Sequence, residues 1–155
     1  VIAQDSILNL LTRLDLSLAH EEQSTSLLQA KIREHDDADC LTILSLGTQR
    51  VWLEKVSAEI GQSVSIRVFS RDIIVSAIKP VESSVLNVLM GEIVEIEHNQ
   101  SSKVLIIVDI EQQKLLARIT RKSLNNLDLK IGQQVYIQFK SLSLGMCLVR
   151  ESNDG

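Results

Sequence analysis

The sequence predicts an all-β fold: two tandem, small OB-like barrels with a short N-terminal helix. Three observations carry this expectation. The 155 residues hold 54 Leu, Ile and Val but only four aromatics, enough aliphatic material to fill a core and too much for a disordered chain. From Leu27 onward the apolar residues fall in short runs punctuated by Gly turns. Finally, one segment is repeated. Ile60-Gly61-Gln62-Ser63-Val64-Ser65-Ile66-Arg67-Val68-Phe69-Ser70 aligns with Ile131-Gly132-Gln133-Gln134-Val135-Tyr136-Ile137-Gln138-Phe139-Lys140-Ser141 at an offset of 71, matching at six positions in eleven.

Taken in order, residues 5–18 read as an amphipathic helix. Asp5 or Ser6 can cap it, and Ile7, Leu8, Leu11, Leu14 and Leu18 share a side. Polar residues 21–26 lead into strands expected near 27–34, 40–46, 49–54, 63–69 and 71–78, with turns at Gly47-Thr48 and Ile60-Gly61-Gln62. The single proline, Pro80, marks a linker over 79–84. A second set is expected near 91–97, 103–110, 113–119, 134–140 and 144–150. Upstream, Ala30-Lys31-Ile32 aligns with Gly91-Glu92-Ile93 at an offset of 61, so the second copy carries about ten more residues than the first. We place these where the strand ending Ala117-Arg118-Ile119 runs into Thr120-Arg121-Lys122-Ser123-Leu124, a helix capped by Thr120 with Leu124 and Leu127 facing the core. The expected division is 1–25 as helix and linker, 26–80 as the first barrel and 81–155 as the second. Two barrels of this size need each other, or a dimer, for sufficient burial.

Composition narrows function. With 16 Lys+Arg against 20 Asp+Glu, the net charge of −4 argues against a nucleic-acid partner, as does the scarcity of aromatic stacking platforms. No apolar run approaches the ~18 residues of a membrane span, and no signal peptide opens the chain. The absence of an initiator Met leads us to expect a piece of a longer protein. Cys40 and Cys147 follow no metal or redox spacing and read as reduced, partly buried thiols. The cluster His35-Asp36-Asp37-Ala38-Asp39-Cys40 reads as a polar hairpin loop, since its spacing fits no metal site. No P-loop motif occurs, nor any nucleophile elbow, so we expect no catalysis by this segment. What remains is an anion held by local arrangement. By composition alone, Thr120 and Ser123 at a helix start, and Lys140-Ser141 at a strand end, read first as a cap and a solvated strand end, and alternatively as oxyanion ligands. Arg118, Arg121 and Lys122, with Lys114 nearby, read as a solvated face, part of an anion site, or a contact to another domain.

The segments Ser83-Ser84-Val85-Leu86-Asn87, Ala117–Leu124, Ile131-Gly132-Gln133 and Lys140-Ser141 together resemble the tandem molybdate-binding (Mop, or TOBE-type) module. Leu11–Leu16 and Phe69-Ser70-Arg71-Asp72-Ile73 extend the resemblance to the tail of the ATP-binding subunit of bacterial molybdate ABC importers. The resemblance implies a regulatory and dimerisation domain that binds molybdate or tungstate. It also implies sites formed between two protomers of a homodimer, an ABC-type ATPase domain upstream that holds the ATP, a membrane permease partner, and a cytoplasmic location on the inner face of the bacterial inner membrane. By the family's motifs, the oxyanion ligands are Ser84, Asn87, Thr120, Ser123, Lys140 and Ser141, with no metal. Leu86 stands where the family's turn carries an arginine, removing a fixed charge and a bidentate donor. The alternative is therefore a structural dimerisation element of the ATPase subunit with no oxyanion bound.

Overall fold

A computed structural model describes residues 25–98, 102–141 and 145–148, and the expected helix over 5–18 lies outside them. The chain forms β1 (Thr25–Asp36), β2 (Leu41–Leu46), β3 (Gln49–Glu54), β4 (Ser63–Phe69), a 3-10 turn (Ser70–Asp72) and β5 (Ile74–Ser76). After the linker come β6 (Asn87–Glu97), β7 (Lys103–Ile110), β8 (Gln113–Thr120), α1 (Arg121–Leu127), β9 (Gln134–Phe139) and β10 (Gly145–Leu148). The fold is therefore mostly β, in two five-stranded antiparallel sheets ordered β10-β4-β1-β2-β3 and β5-β9-β6-β7-β8. Each sheet takes four strands from one copy of the repeat and its edge strand from the other. β5 pairs with β9, and β10 pairs with β4.

The repeat is carried down to hydrogen bonds. Gly61 N–H donates to Ile32 O and Gly132 N–H to Ile93 O, both at 2.7 Å. Ile32 N–H donates to Gln62 O and Ile93 N–H to Gln133 O, both at 2.9 Å. Both glycines have φ near +90°, at 92° and 93°, which a side chain adopts only with strain. Each long central strand also breaks register at the same place, between Ile32 and Glu34 and between Ile93 and Glu95.

Period-two burial drives the pattern: alternate residues of β1 (Leu28, Ala30, Ile32) and β4 (Val64, Ile66, Val68) point inward. They join Leu89, Ile93, Ile106, Val108, Val135, Ile137 and Phe139 in one core that spans both sheets. Leu124 of α1 enters it as expected, with Leu127 partly buried against it.

Three expectations need correction. The strand placed at 71–78 is only Ile74–Ser76, because the chain first makes the 3-10 turn that swings it onto the other sheet. The ten extra residues are not all at the helix. The offset is 61 at Ile32/Ile93, 64 across the paired hairpins (Leu44/Val108), and 71 at Gly61/Gly132, so three lengthen the β6–β7 connection and seven build α1. Cys40 is exposed, in a turn with φ of 56°.

Candidate functional site

The six residues singled out in the sequence separate into two groups. Asn87 opens β6 beside Phe139, the last residue of β9, so Lys140 and Ser141 follow at the same end of the sheet. The Asn87 carboxamide is fully buried and donates to Ser141 Oγ at 3.4 Å. Its main engagement is with β3 of the other sheet. Oδ1 accepts from Trp52 N–H at 2.6 Å and Nδ2 donates to Trp52 O at 2.8 Å. Ser84 and Lys140 are exposed.

The second group sits at the far end of β8. Thr120, extended at φ −82°, ψ 155°, caps α1: its Oγ1 accepts from Ser123 N–H at 3.0 Å and donates to Ser123 Oγ at 3.0 Å. The capping bond consumes one Thr120 lone pair and the second bond its hydrogen. The Ser123 hydroxyl hydrogen is then the group's outward donor. With only seven residues, α1 contributes little dipole, so the polar character of this group rests on its hydroxyls. Arg118 and Arg121 of the basic patch are both engaged by other groups, and Lys114 Nζ lies 3.9 Å from Asp109 Oδ2.

Register fixes the separation of the two groups. β6 and β8 both run antiparallel to β7, and Thr120 pairs with Lys103 at the start of β7, where β6 ends. Asn87 begins β6 and Thr120 lies beside its end, so the groups are apart by the 11 residues of β6, on the order of 30 Å along the strand. Within one chain, the structure brings Asn87 to Ser141 and Thr120 to Ser123, and does not join the pairs.

The contacts that sequence reasoning missed lie between the repeats. Asn87 has its counterpart in Ser26, whose Oγ accepts from Leu116 N–H at 2.8 Å, and Trp52 and Leu116 are themselves equivalent positions. Gln49 holds the Met90 backbone by bonds of 2.8 and 2.9 Å, and Gln113 holds the Gln29 backbone by bonds of 2.7 and 3.0 Å. Each edge strand, β3 or β8, is thereby fastened to the central strand of the other sheet. Offsets of 61 and 64 relate these pairs, a signal visible only once both offsets are known. Among the described residues, no cluster of His, Cys, Asp and Glu could hold a metal ion.

The TOBE domain family matches residues 83–144, a span that contains all six candidate residues. Over 143 residues the chain is 32% identical to the molybdenum import ATP-binding protein ModC of Aromatoleum aromaticum, covering 92% of this chain and 38% of that protein. It is 36% identical over 124 residues to ModC of Haemophilus influenzae, covering 80% of this chain and 35% of that protein. The chain thus spans somewhat over a third of the length of these curated relatives. Among solved structures, the cytoplasmic molybdate-binding protein ModG, with molybdate bound, superposes with a TM-score of 0.66 over 77% of this chain and 93% of ModG. At 13% identity, that likeness is one of fold.

Proposed function

The chain belongs to the TOBE family, in the form carried by molybdenum import ATP-binding proteins, and on that premise we propose that it binds molybdate or tungstate at a site completed between two copies. The observation that carries this reading is the division of the donor set. Ser84, Asn87, Lys140 and Ser141 stand at one end of a sheet, and Thr120 and Ser123 at the other. A tetrahedral dianion reaching both groups needs a second chain to supply one of them, which makes the protein a homodimer. Each sheet, with its exchanged strand, acts as one OB-like barrel.

The chemistry suits such an anion. The Lys140 ammonium supplies charge, the Ser84, Ser123 and Ser141 hydroxyls supply directed hydrogen bonds, and no metal is needed. Asn87 is spent largely on Trp52, so its part is to fix the position of Ser141. A net charge of −4 is no obstacle to a site so local.

In the whole protein, this region adjoins an ABC-type ATPase domain that takes the ATP, on the cytoplasmic face of the membrane against a permease subunit. Oxyanion that prefers one arrangement of the paired chains biases the importer by linkage. A second reading, a dimerisation element without a ligand, draws on Leu86, which is 49% exposed where the family's turn carries arginine.

Titration calorimetry of the chain with molybdate, tungstate and sulfate tests the reading, with sedimentation to report the dimer. We expect saturable heat with molybdate or tungstate, with the component from the interchain site lost in the Thr120→Ala/Lys140→Ala variant while the dimer persists. Heat that this double variant leaves unchanged, or no heat with any of the three anions, on dimeric protein selects the second reading.

A further inference from the structure

The outer face of the first sheet carries a depression of about 330 Å³ lined by Gln29, Lys31, Ser45, Gly47 and Ser63. It lies on a different sheet from all six residues of the interchain site. Its floor is one row across three strands, since Lys31 pairs in register with Ser45 on β2 and with Ser63 on β4. Side chains in such a row point to the same face, with neighbours about 5 Å apart. One ammonium is thus flanked by two hydroxyls.

Every polar group on this floor is an available donor. Among the described residues Lys31 forms no ion pair, and the Ser45 and Ser63 hydroxyls have no hydrogen-bond partner. In the next row, Ser65 Oγ donates to Gln29 Oε1 at 3.1 Å, which fixes the carboxamide and leaves its N–H₂ free. Gly47, without a side chain, leaves room at the rim for Glu111. The Glu111 carboxylate lies against Gly47, and its oxygens are directed to Thr48 N–H, Thr48 Oγ1 and Gln49 Nε2 at 2.9–3.1 Å.

The second copy of the repeat supplies an internal control. Its equivalent row is Asp109–Glu92–Gln134, with Met90 in place of Gln29. The backbone is the same, the lining is acidic, and no anion has a place there. We propose that the depression around Lys31 is a second, separate site for a small tetrahedral oxyanion, bound by Lys31, Ser45, Ser63 and the Gln29 amide. The depression is larger than a bare anion, so the outer oxygens keep their water. This site is independent of the interchain site and of dimerisation.

The test is an amide NMR titration of the chain with phosphate, sulfate and molybdate at constant ionic strength, with chloride as the control. We expect saturable shifts at Gln29, Lys31, Ser45 and Ser63, and none at the equivalent Glu92, Asp109 and Gln134. Removing a charge-assisted bond in Lys31→Gln weakens this site about tenfold, with the rest of the spectrum preserved because the side chain is exposed. The Thr120→Ala/Lys140→Ala variant, silent at the interchain site, keeps the Lys31 response. Three results overturn the proposal: no saturable shift at these amides with any of the oxyanions, equal shifts with chloride, or unchanged affinity in Lys31→Gln. Each of them leaves calorimetric binding at the interchain site to stand or fall on its own data.

Discussion

Asn87 illustrates how one residue can match a ligand motif and serve the fold. Its carboxamide satisfies both backbone groups of Trp52 from a fully buried position. Ser26, at the same point of the first copy, satisfies a single group of Leu116. Truncation of Asn87 leaves the Trp52 N–H and carbonyl without partners, at about 1–3 kcal/mol for an unsatisfied buried group. Asn87→Ala should therefore lower unfolding free energy by about 3 kcal/mol in urea, and Ser26→Ala by no more than about half of that. An Asn87→Ala variant of unchanged stability would return the residue to a purely ligand role. Glu111 also serves the fold through contacts across the repeat. It stands at the hairpin tip equivalent to Gly47 and folds over it so closely that a Cβ on Gly47 would lie 2.0 Å from its Oε1. Hydrogen bonds from Thr48 N–H, then from the Thr48 hydroxyl and Gln49, hold its carboxyl below the usual range. A depressed pKa contributes stability that is complete above the ordinary glutamate pKa and is lost as pH falls through the folded value. The melting-temperature gap between the parent chain and Glu111→Gln should accordingly be present at neutral pH and close in acid. A gap independent of pH refutes the ionic account. Neither role was legible in the sequence, because both partners lie across the repeat boundary.

At the scale of elements, the two copies solve one problem in different ways. In the second copy the chain leaving β8 is closed down by α1, with Thr120 as cap and Leu124 in the core. In the first copy the equivalent of Thr120 is Val56, and there is no helix. A polar latch replaces it. Thr42, fully buried, accepts from Val56 N–H at 3.0 Å, and its hydroxyl is hydrogen-bonded with His35 Nδ1 at 2.9 Å. His35 Nε2 lies 2.7 Å from Ala58 O, which can only accept, so Nε2 donates there. The isosteric Thr42→Val keeps the volume and breaks the latch, leaving the Val56 N–H without its acceptor. We expect a loss of about 2 kcal/mol and faster hydrogen exchange at Val56 and Ala58, while the amides of α1 are unaffected. Uniform acceleration across both copies would mean that the latch is not a local device. The hairpin turns, the Ile-Gly-Gln turns and the cap of α1 were legible because each is written in adjacent residues. The latch was not: His35 read as part of a loop because its partners lie 7 and 23 residues away.

For the whole molecule, the exchange of strands decides what can fold. Nearly every strand was readable from its own apolar alternation, but alternation does not say which neighbour a strand will choose. The 3-10 turn at Ser70–Asp72 sends β5 to β9, and β10 returns to β4, so each sheet is completed by the opposite copy. The single core over both sheets and the paired Gln49/Met90 and Gln29/Gln113 clamps tie the copies further. A segment ending in the linker keeps β5 but has no β9 to pair it, and it leaves β4 with an open edge and the Ser26 and Gln29 contacts without partners. Burial in so small a unit falls short of the conformational entropy it must offset. We therefore expect residues 25–80 alone to lack dispersed amide signals, residues 81–155 alone to lack them or to aggregate through β9, and the two mixed to recover the spectrum of the intact chain. Recovery on mixing, with a concentration dependence that the intact chain does not share, is the signature of exchanged strands. A dispersed, cooperative spectrum from either half by itself would mean that the copies are self-sufficient barrels and that the exchange is incidental. The same dependence bears on the proposed sensing role. Because the copies share their edges, an oxyanion that shifts one sheet acts on a strand belonging to the other, and the pair responds as a unit.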